Sequence, residues 1–171
     1  PTQEQSLQTV AYNSAGKTLV IGSAALALPQ ADALSAALSV TLLLTDGLPT
    51  IAQEAERHYP IHACVDAAVG GWLGAFSARW REAPRGIVTH EASFDLVLDL
   101  SPSPLITSHQ KPPGYFAPGG QAGDIAAAAA ALAQMVGEFE KPKYFKYKER
   151  LCAHSRNRKT GCTACIDICS A

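Results

Sequence analysis

The chain has 171 residues, 47% of them apolar, enough for one domain of ordinary size with a substantial core. Its formal charge is −1, from 14 Lys and Arg against 15 Asp and Glu, which argues against general nucleic-acid binding. No apolar run reaches membrane-spanning length, so no membrane span is expected.

Ala-rich and Val/Leu-rich segments together predict an α/β fold. Residues 1–16 are polar and irregular, closing on a turn signal at Asn13, Ser14, Ala15 and Gly16. Residues 17–21 read as a buried strand that stops at Gly22. Pro29 suits the first turn of a helix running to residue 38. A second buried strand over 40–45 ends at Asp46 and Gly47. Strand, glycine, helix, strand, acid is the order of a dinucleotide-binding βαβ unit, with Asp46 where a ribose would be held. The glycine fingerprint is missing, however. Ser23, Ala24, Ala25, Leu26 and Ala27 follow Gly22, and their side chains would crowd a pyrophosphate. The reading is a degenerate Rossmann-like or flavoprotein-like fold that holds no nucleotide.

Residues 48–59 fit a short helical piece closed by Pro60, and 61–65 another strand. Cys64 sits there among apolar neighbours as a small core residue. His58, His62, His90 and His109 have no partner visible in the sequence and default to surface or structural roles. Trp72, Phe76 and Trp80 recur on one strand face, with Ser77, Arg79 and Arg81 on the other. With a pairing strand over 85–91, residues 61–92 predict an antiparallel meander. A further strand over 94–100 carries Asp95 and Asp99 on one face. No nucleophile or base stands beside them, so they read as a strand-end pair rather than a catalytic one.

Residues 101–120 are rich in Pro and Gly, a long surface connection. A helix is then expected over 124–139, with Asp124 as its N-cap. The segment around Gly119 is similar to the flavoprotein turn that brings a helix to a flavin, but Gly120 stands where that turn carries an acid.

Four of the five cysteines close the chain as Cys152, Cys162, Cys165 and Cys169, in the pattern C-x9-C-x2-C-x3-C. Thiolates this close in sequence serve a soft metal centre or disulfides. The C-x2-C-x3-C half is the spacing of bacterial ferredoxins. Zinc also uses C-x2-C, with His154 available as an alternative donor. Disulfides would need an oxidising compartment, and no apolar leader opens the sequence. Eight of the 14 Lys and Arg residues (Lys141, Lys143, Lys146, Lys148, Arg150, Arg156, Arg158, Lys159) gather here, interleaved with Tyr144, Phe145 and Tyr147. They read as cations that offset a thiolate-bound cluster or attract an acidic redox partner, in preference to a nucleic-acid patch.

Three segments resemble the bacterial 4Fe-4S cluster-binding (ferredoxin-type) protein family: Val136-Gly-Glu-Phe-Glu-Lys-Pro-Lys-Tyr-Phe-Lys-Tyr-Lys, then Cys152-Ala-His-Ser-Arg, then Thr160-Gly-Cys-Thr-Ala-Cys. A looser likeness runs through residues 19–22, 71–76 and 94–101. The resemblance implies electron transfer in the cytoplasm through a 4Fe-4S cluster on Cys152, Cys162, Cys165 and Cys169, opposite a redox partner protein. It implies a non-catalytic electron carrier or redox subunit. The sequence is read as an N-terminal fragment of a longer protein, whose cluster is incomplete or replaced by zinc. The expected organisation is a nucleotide-binding-like domain over 1–140, then a basic arm and partial ferredoxin module over 141–171. Two other classes stay open: a flavin- or nucleotide-binding oxidoreductase domain using Gly22, Asp46 and Gly119, and a zinc-stabilised interaction module.

Overall fold

The centre of the fold is set by the run Leu19, Val20 and Ile21, every residue of which is fully buried. A strand with no polar face has to be covered on both sides. In the computed structural model, which describes residues 9–48, 57–83 and 86–142, that is what surrounds it. Strand β2 (Lys17–Gly22) lies between β3 (Ser39–Leu44) and β7 (Leu96–Leu100), parallel to both. Helix α1 (Ala24–Leu34) connects β2 to β3. The sheet continues from β3 into β4 (Ile61–Gly70), whose first residues pair parallel to β3. After a register shift between Cys64 and Asp66, the rest of β4 pairs antiparallel with β5 (Phe76–Glu82), and β5 with β6 (Thr89–Phe94). The two-residue β8 (Tyr115–Phe116) closes the other edge, giving the order β6-β5-β4-β3-β2-β7-β8.

Alternation along the parallel strands divides the core into two. Val20, Leu42, Leu44, Leu96 and Leu98 face one cluster, which also takes Ala27, Ala31 and Leu34 of α1. The same cluster takes Ile125, Ala128, Ala129 and Leu132 of α2 (Ala122–Ala133). Leu19, Ile21, Leu43 and Val97 face the other cluster, with Phe76, Ala78, Trp80 and Phe94 from the meander. Both described helices therefore cover one face, and the sheet curls its own antiparallel end over the opposite face.

This corrects the expected Rossmann-like or flavoprotein-like α/β fold. A doubly wound fold needs helices on both faces of a mostly parallel sheet. Here nine strands stand against two helices among the described residues, and the sheet is mixed. The meander itself is where the alternating pattern placed it, apart from Trp72. That residue precedes β5 and is 58% exposed, whereas Phe76 and Trp80 are buried.

A separate ribbon pairs β1 (Thr9–Ser14) antiparallel with β9 (Gly137–Pro142), matching Tyr12 with Phe139. Two expectations are corrected here. Among the described residues before Gly16, Thr9–Ser14 are a strand rather than irregular, and the last helix ends at Ala133 rather than 139. Beyond it Glu138, Phe139 and Glu140 alternate exposed, half-buried and exposed, a period of two that suits a strand. The ribbon is seated by the turn before β5. A Cβ on Gly74 would lie 2.2 Å from the Asn13 carbonyl oxygen, and its φ of +79° also favours glycine. Asp95 completes the joint by accepting from the Ala15 and Lys17 amides at 2.9 and 3.0 Å.

The two ends of α1 also differ from expectation. It begins at Ala24, so Pro29 lies inside it rather than in its first turn, and it stops at Leu34. The helical piece expected over 48–59 falls mostly on residues outside those described. Among the described residues, no helix is long and apolar enough to cross a membrane.

Candidate functional site

The polypeptide leaves the ribbon at Pro142 and reaches Cys152 ten residues later. Cys152, Cys162, Cys165 and Cys169, with His154 and most of the basic arm, lie outside the described residues. The fifth cysteine, Cys64, is buried in β4 as a core residue, and burial first, then Asp66, pushes its thiol above the usual range. Among the described residues no other cysteine lies with it.

Of the residues considered for a nucleotide, Gly22 and Asp46 are otherwise engaged. Gly22 ends β2 opposite Leu100, where a Cβ would come within 2.8 Å of the Leu100 Cβ. Its role is close strand packing. Asp46 turns back from the end of β3 and accepts the Ala24 amide on both carboxylate oxygens, at 2.9 and 3.0 Å. Ser23 stands at the N-cap position without a side-chain bond, so Asp46 supplies the missing acceptor. A helix N-terminus that would otherwise receive a phosphate thus already carries the protein's own anion. Asp46→Ala should cost about 1 kcal/mol of stability, as other lost helix caps do, and a shift in the urea midpoint measures it. At α2, Gln121 is the N-cap and Asp124 sits inside the first turn, where its charge suits the helix dipole. A Cβ at Gly119 or Gly120 would meet nothing within 4 Å.

Three polar clusters were not legible in the sequence. Asp99, 1% exposed, accepts the Ser101 and Leu105 amides at 3.0 and 2.7 Å and the Tyr115 hydroxyl. Tyr115 in turn accepts the Ile106 amide, and Lys111 donates to the Ile106 carbonyl, so one buried carboxylate organises the long connection before β8. Asp95 and Asp99 therefore anchor different backbone segments and do not form a pair. Asp32 of α1 binds Arg57 and Tyr59. The Arg57 hydrogen bonds hold its carboxyl below the usual range, against the opposing effect of burial.

The third cluster lies on the meander. His62, Trp80 and His90 pack with ring centroids 5.4–5.9 Å apart, and Glu82 reaches His90. Trp80 and His90 are direct cross-strand partners, a fact fixed by register and invisible to spacing along the chain. An apolar cleft of about 270 Å³ opens where the ribbon meets the sheet, lined by Tyr12, Trp72, Leu73, Met135 and Phe139.

Comparison of the chain with protein-family models, with curated proteins and with solved structures finds no match. The chemistry must be argued from the residues themselves. Among the described residues no three His, Cys, Asp or Glu side chains converge as a metal site. The candidate ligands are the four cysteines that follow the ribbon.

Proposed function

We propose that the protein is an iron–sulfur electron-transfer protein. Residues 9–142 form its scaffold, and the segment after β9 binds a 4Fe-4S cluster through Cys152, Cys162, Cys165 and Cys169. The observation that carries this reading is the spacing of four cysteines within the last 20 residues, C-x9-C-x2-C-x3-C, supported by the likeness of 136–165 to ferredoxin-type proteins. A donor set of four thiolates fits a cluster of four irons. When bound, the cluster supplies a one-electron redox centre.

The chain's own residues do the rest. The thiolates bind the cluster, and the neighbouring cations Arg156, Arg158 and Lys159 favour the deprotonated sulfurs that binding requires. Lys143, Lys146, Lys148 and Arg150 present positive charge to an acidic redox partner protein in the cytoplasm, which would speed encounter at low ionic strength. The ribbon contributes a fixed point of departure, since β9 is hydrogen-bonded to β1 up to Pro142.

Iron and acid-labile sulfide measured on anaerobically purified protein test the proposal. Both should be present, and Cys162→Ser or Cys165→Ser should abolish the broad charge-transfer absorption. Iron and sulfide content unchanged in both variants would refute the assignment. Zinc without sulfide would make the segment a structural zinc module instead.

A further inference from the structure

At the free end of the meander three adjacent strands bring four side chains together: His62 near the start of β4, Trp80 and Glu82 at the end of β5, and His90 near the start of β6. His90 stacks on Trp80 at 5.4 Å with the rings 18° apart. His62 packs obliquely against both, at 5.5 Å from Trp80 and 5.9 Å from His90. Glu82 Oε2 lies 3.3 Å from His90 Nε2. Both imidazoles are half-buried and so remain within reach of solvent protons. Trp80 is only 5% exposed, and its Nε1–H has no acceptor among the described residues.

We propose that this cluster is a proton-operated clamp: while His62 is neutral it holds the ends of β4, β5 and β6 together, and protonation of His62 releases them. A single imidazolium is easily accommodated, because a charged His90 has Glu82 beside it and the indole face beneath it. A second one is not. On its own strand His62 is followed by Cys64, which is buried, and by Asp66, which is taken by Arg81. From β3 it is flanked by Leu43, its partner in register. The charges that face it are His90 and Glu82, and Glu82 is shared with His90.

Burial, and then the charge of His90, hold the His62 pKa below the usual imidazole value, with Glu82 acting in the opposite sense. The sign follows from linkage. The open state, with His62 in water, binds a proton at about pH 6.5, where the closed state does not. The closed state is therefore fully stable above that pH and loses ground as pH falls below it. Opening also lets the Trp80 N–H reach water, removing the penalty of an unsatisfied buried donor. The Arg79–Glu91 ion pair still ties β5 to β6 further along, so the release is local to the end of the meander.

The test uses the full chain carrying Trp72→Phe, so that emission reports Trp80 alone. Between pH 8 and pH 5 the emission should change sigmoidally with a midpoint below the usual imidazole value. Amide exchange over 61–65 and 88–92, corrected for the intrinsic pH effect, should quicken by up to about tenfold per pH unit as pH falls below about 6.5, and level off once His62 is protonated in the closed state as well. Exchange in β2 and β7 should not follow. His62→Gln should remove the acid transition, while His90→Gln should move it upward by removing the opposing charge. A transition that persists unchanged in His62→Gln, or exchange that quickens equally in β2 and β7, overturns the clamp.

Discussion

Asp99→Ala is expected to destabilise the protein by about 3–5 kcal/mol, because it leaves three buried donors without their acceptor at about 1–3 kcal/mol each, partly offset by relaxation. The carboxylate is 1% exposed and takes hydrogen bonds from two amides and a hydroxyl. Its removal leaves the Ser101 and Leu105 amides and the Tyr115 hydroxyl facing an apolar void. Burial, then the bond to Asp99, raises the Tyr115 pKa, so this hydroxyl stays a neutral donor throughout the accessible pH range. Tyr115→Phe removes a single donor and leaves Asp99 its two amides, so its cost should be smaller, about 1–2 kcal/mol. The chemical-denaturation midpoint, at unchanged slope, measures both. A loss below about 1 kcal/mol in Asp99→Ala would show that water or another donor replaces the carboxylate without penalty.

The same residues show what the sequence makes visible. Strands β2, β3 and β7 are legible because burial on both faces demands continuous apolar runs, and Leu19, Val20 and Ile21 form one. The meander is legible because Phe76, Ala78 and Trp80 alternate with Ser77, Arg79 and Arg81. What covers the second face is not legible. An alternating strand reads alike whether its apolar side meets a helix or the curled end of its own sheet, so the α/β expectation supplies a second helical layer that is not found among the described residues. The last helix was overextended because its Ala-rich run passes into Met135 and Val136 before the period changes from 3.6 to 2.

Asp46 illustrates another limit. Its position after β3 was readable, but a ribose-binding acid and a helix-capping acid occupy the same place in the sequence, and only the 2.9 Å bond to Ala24 separates them. The His62, Trp80 and His90 stack depends on register across three strands, and the Asp99–Tyr115 bond spans a loop of irregular chain. Neither leaves a local pattern. The four cysteines proposed as ligands are the reverse case, since a proposal drawn from one short segment rests on spacing alone.

Phe76→Ala is expected to cost a further large amount, about 3–5 kcal/mol, which is a large part of the total stability of an ordinary domain. Phe76 is fully buried at the start of β5, paired in register with Phe94 and 6.5 Å from the Tyr115 ring. It is the side chain by which the antiparallel end of the sheet packs over the parallel part. Its ring also backs the close approach of Gly114, where a Cβ would lie 3.3 Å from its edge. Truncation opens a cavity among Phe94, Tyr115 and the parallel strands that backbone pairing prevents from collapsing. Phe76→Leu keeps most of the volume and should lose less than half as much. Combined with Tyr115→Phe, Phe76→Ala should deviate from additivity by about 0.5 kcal/mol or more, because the two rings share one wall of the core. Strict additivity, or a loss below about 1 kcal/mol for Phe76→Ala alone, would mean that the curled meander is held by its strand pairing and not by this contact.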